Sequence, residues 1–282
     1  MWAMVSIDKI IVRLLEMELT EVFETSVSRI RKRNVVIIEM HSGDEVGLGE
    51  CTAGSDPYYS YETYDTAIMI IRKYLIGRII GREFADPYAF RGELEYIRGH
   101  KMAKASLEYA FWDLYARTCR KPLYELYGGI RDSVSVGVSI GIKGSIEELI
   151  ESIERFLDRG YRRIKIKIKP GYDVDVVDEV RKRFPDVPLM VDANGAYSIE
   201  NIGVFERLDN YGLMMIEQPL HHEDLVDHAF LQARLRTPIC LDESIGSWHA
   251  ARAAVRLGSC KIINLKPPRV GGVLESLKIH DL

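Results

Sequence analysis

The chain has 282 residues, of which 47% are hydrophobic and 28% are charged, and its formal net charge is −4. These values predict a folded globular protein of one or two domains and argue against a disordered chain. The acidic excess also argues against nucleic-acid binding, which requires a basic surface. No apolar run has the length of a transmembrane helix, and the N-terminus lacks a signal-peptide pattern. The four cysteines are scattered without a CxxC motif, so we expect reduced thiols in a cytoplasmic protein that has no membrane partner.

The N-terminal part of the sequence predicts antiparallel strands and two loops. Residues 7–15, 34–41 and 46–52 carry apolar, β-branched runs typical of strands, and the last two runs predict a hairpin. Residues 20–33 are polar, rich in hydroxyl groups and too long for a tight turn, so we expect either a disordered loop or a functional lid. Residues 54–59 predict a second loop in front of the first helix.

Two helical patterns follow these strands. Residues 62–79 are amphipathic, and residues 101–119 carry a stronger apolar stripe with small residues for close packing. Beyond them the order of elements changes to repeating strand–helix units. We therefore predict an N-terminal α+β domain over residues 1–128 and a second domain over residues 129–282.

The second domain is predicted to be a series of strand–helix units, beginning with a strand at 134–142 and a helix at 146–159. Charged residues close the next five strands at intervals of 25, 25, 25 and 24 residues: Lys167, Asp192, Glu217, Asp242 and Lys266. Units of this kind build a parallel (β/α) barrel, whose active sites lie at the C-terminal ends of the strands. A helix predicted at 270–282 closes the sixth unit. Because a closed barrel takes eight strands, we expect this barrel to be C-terminally incomplete.

Three of the charged strand ends are carboxylates. Neighbouring parallel strands lie about 4.8 Å apart, so Asp192, Glu217 and Asp242 can converge on one ion. Oxygen ligands suit a hard cation, which predicts Mg²⁺ or Mn²⁺. The alternative is three solvated acids at the starts of loops. We prefer the metal site because three acids at one buried end would otherwise repel one another without compensation.

Two of the strand ends are lysines. In residues 164–169, isoleucine and lysine alternate, which places the lysines on one face of a strand. An edge strand that exposes its lysines would show the same pattern, but the spacing to the carboxylates favours a barrel strand with Lys167 inside. Lys266 is predicted on the opposite side of the barrel. A lysine close to a divalent cation can serve as a base, and this combination is typical of proton removal alpha to a carboxylate through an enediolate.

Longer motifs surround these positions. They are RIKIKIKPGYD at 163–173, VDAN at 191–194, IEQP at 216–219, PICLDES at 238–244 and NLKPPRVGG at 264–272, with GEC at 49–51 and HKMAK at 100–104 in the N-terminal part. With these motifs the chain resembles, over its whole length, the o-succinylbenzoate synthase / N-acylamino acid racemase family. This family belongs to the muconate-lactonising branch of the enolase superfamily.

The resemblance implies roles for individual residues. It implies that Lys167 and Lys266 are the opposed catalytic acid/base pair. The implied Mg²⁺ ligands are Asp192, Glu217 and Asp242. The residues implied to contact substrate are Lys165, Asn194, Phe23 and Tyr58, and those implied to support the ligands are Gln218 and Glu243, together with Asn194. The resemblance further implies that residues 1–128 form a capping domain whose two loops close over the barrel, that the substrate is a small carboxylate, and that the protein is a homo-oligomer.

Several activities remain open at this stage. The synthase reaction, a dehydration in menaquinone biosynthesis, and the racemase reaction share one intermediate, and the motifs do not separate them. Dipeptide epimerisation and muconate cycloisomerisation rank lower because their specificity loops would differ. Family members continue beyond residue 282. A truncated, inactive paralogue that acts only as a binding or assembly partner is therefore a further alternative.

Overall fold

The computed structural model describes residues 4–282. The strands are β1 (Val5–Ser6), β2 (Lys9–Glu24), β3 (Arg29–Ser42), β4 (Glu45–Cys51), β5 (Glu83–Phe84), β6 (Val138–Ile140), β7 (Ile164–Lys167), β8 (Leu189–Asp192), β9 (Ile216–Glu217), β10 (Ile239–Leu241) and β11 (Ile262–Ile263). The helices are α1 (Tyr64–Ile70), α2 (Ile76–Ile79), α3 (Pro87–Leu94), α4 (Lys101–Cys119), α5 (Leu123–Leu126), α6 (Ile146–Asp158), α7 (Val174–Arg183), α8 (Ile202–Leu208), α9 (Leu225–Gln232), α10 (Trp248–Leu257), α11 (Pro267–Val270) and α12 (Val273–His280). A π-helical turn at Ile71–Leu75 joins α1 to α2, and a 3₁₀ turn at Ile199–Asn201 precedes α8.

The described residues fall into two compact units. The first unit comprises the residues up to Glu18, Lys32–Asp132 and Leu265–Leu282, and the second comprises Leu19–Arg31 and Ser133–Asn264. The predicted domain boundary stays a prediction. Within residues 4–282, no helix combines the length and the apolar composition that crossing a membrane requires.

An antiparallel sheet in the order β2-β3-β4 contains the predicted N-terminal hairpin. The pairing of β3 with β4 runs from Val36 opposite Cys51 to Ser42 opposite Glu45, which confirms this hairpin. Helix α4 packs against β4 at very short range. A Cβ atom on Gly49 would lie 2.1 Å from the backbone oxygen of Ser106, so glycine is required for this contact.

The prediction of a long loop over residues 20–33 is wrong. Strand β2 continues to Glu24 and β3 begins at Arg29, which leaves only a tight turn whose Thr25 N–H donates to the Ser28 carbonyl oxygen at 2.8 Å. We call this turn, Thr25–Ser28, the hairpin tip. The polar character of the segment arises because much of both strands is exposed here, so no apolar face marks them as strands.

The second unit contains a six-stranded, all-parallel sheet in the order β6-β7-β8-β9-β10-β11. Helices α6 to α10 alternate with these strands, as the strand–helix repeat predicts. The isoleucines of the alternating segment, Ile164, Ile166 and Ile168, are fully buried. The lysines between them therefore lie on the other face of β7, which confirms the interpretation of this segment as an internal barrel strand.

The C-terminal part differs from the prediction in two respects. Strand β11 ends at Ile263, so Lys266 lies beyond the strand and belongs to the first unit. The single helix predicted at 270–282 is wrong, because α11 and α12 are separated by Gly271 and Gly272. Both glycines have positive φ angles, 109° and 128°, which no helix contains.

Candidate active site

Three of the predicted residues form a row across the parallel sheet. In the strand register Lys167 is the partner of Asp192, and Asp192 is the partner of Glu217. Because side chains alternate along strands, register partners project from the same face. The partner of Glu217 on the next strand is Cys240, and Asp242 follows two residues later. The repeat in the sequence thus becomes a line of charged groups at the C-terminal ends of β7, β8 and β9.

The two lysines of β7 neutralise the first acids of this row. Lys167 is 6% exposed, and its Nζ donates to Asp192 Oδ2 at 2.6 Å and to Asn194 Oδ1 at 2.6 Å. Lys165 Nζ lies 3.0 Å from Asp192 Oδ2 and 2.7 Å from Glu217 Oε2. Asp192 and Glu217 are each 1% exposed, so the charges compensate one another inside the protein.

Burial and charge shift the pKa values in this row in different directions. Burial opposes ionisation of Asp192, but the ammonium groups of Lys167 and Lys165 outweigh it and lower the pKa of this carboxyl. Burial, followed by the charge of Asp192, raises the pKa of Glu217, although Lys165 acts in the opposite direction. Burial lowers and the two carboxylates raise the pKa of Lys165, with a net increase. These two acids therefore favour the charged form of Lys165.

Asn194 connects Lys167 to a further buried acid. Its backbone is left-handed, with φ 47°, and its Nδ2 donates to Glu243 Oε1 at 2.8 Å. Burial and the nearby charge of Asp242 raise the pKa of Glu243 to about 7. The other oxygen of this carboxyl, Oε2, is buried without a hydrogen-bond partner in the part of the chain that the structure describes. The predicted supporting residues Asn194 and Glu243 thus lie together beside the catalytic lysine candidate.

Gln218 fixes the turn that carries Asp242. Its backbone is also left-handed, with φ 38°. Its side-chain Oε1 accepts from the backbone N–H groups of Asp242 at 3.0 Å and Ser244 at 3.1 Å. Its Nε2 donates to the Leu220 carbonyl at 3.1 Å and to Ser244 Oγ at 2.7 Å. The fully buried amide therefore determines where the Asp242 backbone lies.

The hairpin tip lies beside this row. Ser26 Oγ donates to the carbonyl oxygen of Ala193, the residue after Asp192, at 2.9 Å. The Ile142 N–H donates to the Glu24 carbonyl at 2.9 Å, and Phe23 Cδ2 would lie 3.4 Å from a Cβ atom on Gly141. Phe23 is thus placed at the end of β2 near β6. Its contact with substrate stays a prediction.

Within the first unit, Lys266 contacts Tyr59. Its Nζ donates to Tyr59 Oη at 3.0 Å and lies 4.8 Å from the centroid of the same ring. Arg269 Nη1 also donates to Tyr59 Oη, at 2.8 Å. Tyr58, predicted to contact substrate, is 43% exposed, and its own role stays a prediction. Tyr59 was not among the residues predicted for the site, although the adjacent tyrosines in the 54–59 segment were a signal.

A further missed residue is Asn264, whose Nδ2 donates to Glu217 Oε1 at 2.8 Å. It lies in the NLKPPRVGG motif, so its polar side chain just after β11 was visible in the sequence. No group of three or more His, Cys, Asp or Glu side chains in residues 4–282 is gathered so as to hold a metal ion. The carboxylates of Asp192 and Glu217 instead hold the Lys165 ammonium between them.

Two family profiles match almost the whole chain. Residues 9–128 match the N-terminal domain of the mandelate racemase / muconate lactonizing enzyme family, and residues 148–282 match the enolase C-terminal domain-like family. The muconate lactonizing enzyme from Pseudomonas fluorescens has a similar structure, with a TM-score of 0.94 and 26% identity over 98% of this chain and 77% of that one. The chain thus has the fold of the enolase superfamily. This confirms the predicted (β/α) barrel with an N-terminal α+β capping domain.

Two relatives of higher sequence identity identify the family within this superfamily. The o-succinylbenzoate synthase of Geobacillus kaustophilus is 48% identical over 279 residues, which cover 99% of this chain and 74% of that protein. The N-succinylamino acid racemase of Thermus thermophilus is 45% identical over 270 residues, covering 96% of this chain and 73% of that protein. The chain therefore belongs to the o-succinylbenzoate synthase / N-acylamino acid racemase family, as the motifs indicate.

Proposed function

We propose that the chain is a Mg²⁺- or Mn²⁺-dependent enzyme that removes the proton alpha to the carboxylate of a small substrate and gives an enediolate. The observation that carries the proposal is the row of Lys167, Asp192 and Glu217, which brings a lysine into register with two buried carboxylates. High identity to relatives that bear the synthase and racemase names supports the same conclusion.

The chemistry of the three carboxylates supports a hard divalent cation, although the described residues do not gather them closely enough to hold one. Asp192, Glu217 and Asp242 would hold it, since all three are buried carboxylates at or just beyond neighbouring strand ends. Lys165 already places a positive charge between Asp192 and Glu217, so this position favours a cation. When bound, the metal would supply positive charge to the substrate carboxylate as negative charge develops on it.

The lysines would move the proton. Lys167, which donates to Asp192 and Asn194, would accept the alpha proton from one face of the substrate. Lys266, held by Tyr59, would act on the opposite face. Lys165, predicted to bind the substrate carboxylate, would contribute a fixed positive charge. Exchange of the proton between two faces gives racemisation.

In the synthase reaction the same first step is followed by departure of a hydroxyl group, which protonated Lys167 would assist. The relatives at 41–48% identity carry both names, so we propose one or both reactions for this chain. The L-Ala-D/L-Glu epimerase of Bacillus subtilis is more distant, at 28% identity, and dipeptide epimerisation accordingly ranks lower. Muconate cycloisomerisation ranks lower for the same reason, at 26% identity. A cytoplasmic homo-oligomer stays a prediction.

An assay of the purified protein with Mg²⁺ tests the proposal. One substrate is the hydroxylated carboxylate that dehydrates to o-succinylbenzoate, and the other is an N-succinylamino acid. We expect turnover of at least one, lost on chelation and restored by Mg²⁺, and absent in Lys167→Ala. If neither substrate reacts or exchanges its alpha proton with solvent, the chain is a binding or assembly partner and the proposal is wrong.

A further inference from the structure

A short segment carries Lys266 and Arg269 in the first unit. It consists of Lys266, helix α11, the pair Gly271–Gly272 and the start of α12. The backbone folds back on itself here, because the Pro267 carbonyl accepts from the Gly271 N–H at 3.1 Å and the Gly272 N–H at 2.8 Å. The position of the Lys266 backbone is therefore coupled to the position of the two glycines.

A buried ion pair from the helices α3 and α4 clamps these glycines. Arg91 Nη1 donates to Glu108 Oε2 at 2.7 Å and also to the carbonyl oxygen of Gly271. Glu108 Oε1 accepts from the Leu274 N–H at 2.9 Å. The side chains of Glu108 and Arg91 are 0% and 12% exposed. One carboxylate and one guanidinium thus hold the backbone on both sides of Gly272.

The clamp has almost no free space. A Cβ atom on Gly272 would lie 2.3 Å from Glu108 Oε2, so a larger residue at this position would collide with the carboxylate. Arg91 and the start of α4 are themselves held by further hydrogen bonds. Arg91 Nε donates to Glu95 Oε1 at 2.6 Å, and the first turn of α4 donates its Met102 and Ala103 N–H groups to the buried Glu62 at 2.8 and 3.0 Å.

A buried ion pair is weak evidence for stability, because replacing it with apolar side chains of similar volume is often neutral or stabilising. A fixed geometry is instead indicated by the directional hydrogen bonds by which Arg91 and Glu108 hold the backbone at Gly271 and Leu274. A displacement of about 1 Å in a reacting group can lower a rate about 10²-fold. Lys266 and the clamped Gly271 are separated by α11 alone, a single helical turn.

We infer that Arg91 and Glu108 are positioning residues for Lys266: they hold the Gly271–Gly272 backbone and thereby place the ammonium group of this lysine. This inference rests on the proposed function, because it assigns Lys266 to one face of the substrate. It predicts that loss of the pair impairs proton exchange on the Lys266 face and leaves the Lys167 face unchanged.

The test is solvent deuterium exchange at the alpha carbon of each enantiomer of an N-succinylamino acid, measured with Glu108→Gln. Lys266→Ala identifies the enantiomer that this lysine deprotonates. We expect Glu108→Gln to slow exchange of that enantiomer at least about 10-fold and of the other less than about 2-fold. Glu93→Gln is the matched control, because Glu93 lies on α3, the helix that carries Arg91, and pairs with Arg78 and Arg82 instead of with Arg91. It should change neither rate.

A second variant and a second measurement distinguish failure of this inference from failure of folding and from failure of the proposed function. Arg91→Lys keeps the positive charge but loses the planar fork that reaches both Glu108 and Gly271, so it should show the same selectivity if Glu108→Gln does not fold. Equal slowing of both enantiomers, or no slowing, overturns the inference. If the wild type exchanges neither enantiomer, the proposed function has failed. The inference is then judged by the rate at which acetic anhydride acetylates Lys266. We expect Glu108→Gln to change this rate at least about 3-fold. An unchanged rate overturns the inference.

Discussion

Lys167 ends a buried strand and donates to a carboxylate and an amide of the next strand's motif, whereas Lys266 precedes a short helix and donates to the phenol of Tyr59. The first lysine is placed by the register of a parallel sheet, and its neighbours are acids. The second precedes a backbone that we infer to be clamped, and it donates to Tyr59, whose hydroxyl oxygen also accepts from Arg269. Because the hydrogen bonds described for the two lysines come from different parts of the fold, mutations of those contacts should affect the two lysines separately.

Replacing one of the acids around Lys167 should have the largest effect, because these acids form the proposed metal site. Asp242→Asn removes one charge from the buried donor set, and we expect Mg²⁺ binding, measured by calorimetric titration, to be lost. Asp186→Asn is the control, since Asp186 is exposed and lies before β8. Equal Mg²⁺ affinity in wild type and Asp242→Asn would show that the row is not a metal site.

Removing the side chain that holds the Asp242 backbone should have a smaller effect on Mg²⁺ binding. Gln218→Ala removes the acceptor of the Asp242 and Ser244 N–H groups, and we expect Mg²⁺ affinity to fall about 10–100-fold in the same titration. Gln232→Ala is a matched control, because the buried Gln232 accepts from the Ile239 N–H at the opposite end of β10. It should lower the melting temperature without a similar loss of affinity. Comparable losses in both variants would mean that Gln218 acts only on stability.

Loss of the hydrogen bond made by the hairpin tip should have the smallest effect. Ser26→Ala removes one hydrogen bond to the Ala193 carbonyl, worth about 1 kcal/mol, so we expect KM to rise about 5-fold with the melting temperature nearly unchanged. Ser28→Ala is the control within the same turn, since Ser28 contacts Thr25. An unchanged KM in Ser26→Ala, or an equal rise in both variants, would make this contact irrelevant to substrate binding.

The sheet row could be predicted from the sequence because two periodicities act together. The spacing of about 25 residues matches one strand–helix unit, and the alternation of strand side chains fixes which residues share a face. Lys167, Asp192 and Glu217 are therefore register neighbours as the pattern predicts. The left-handed backbones of Asn194 and Gln218 carry no comparable pattern, since their conformations depend on the hydrogen bonds that their side chains make.

The surroundings of Lys266 could not be predicted in this way. Tyr59 is 207 residues away from it in the chain, and Arg91 is 180 residues away from Gly271. Such contacts depend on how α3, α4 and the C-terminal segment pack, which no local period encodes. The strands on either side of the hairpin tip were missed for a different reason, because exposure of both faces removes the alternation that marks a strand.

The most direct test of the two-lysine account is alpha-proton exchange of each N-succinylamino acid enantiomer in deuterium oxide, measured by NMR with Lys167→Ala and Lys266→Ala. In the proposed mechanism each lysine acts on one face of the substrate, so each variant should lose exchange for one enantiomer by about 10²–10⁴-fold and keep it for the other. The two variants should affect opposite enantiomers. If either variant exchanges both enantiomers at the wild-type rate, the two lysines do not act on opposite faces.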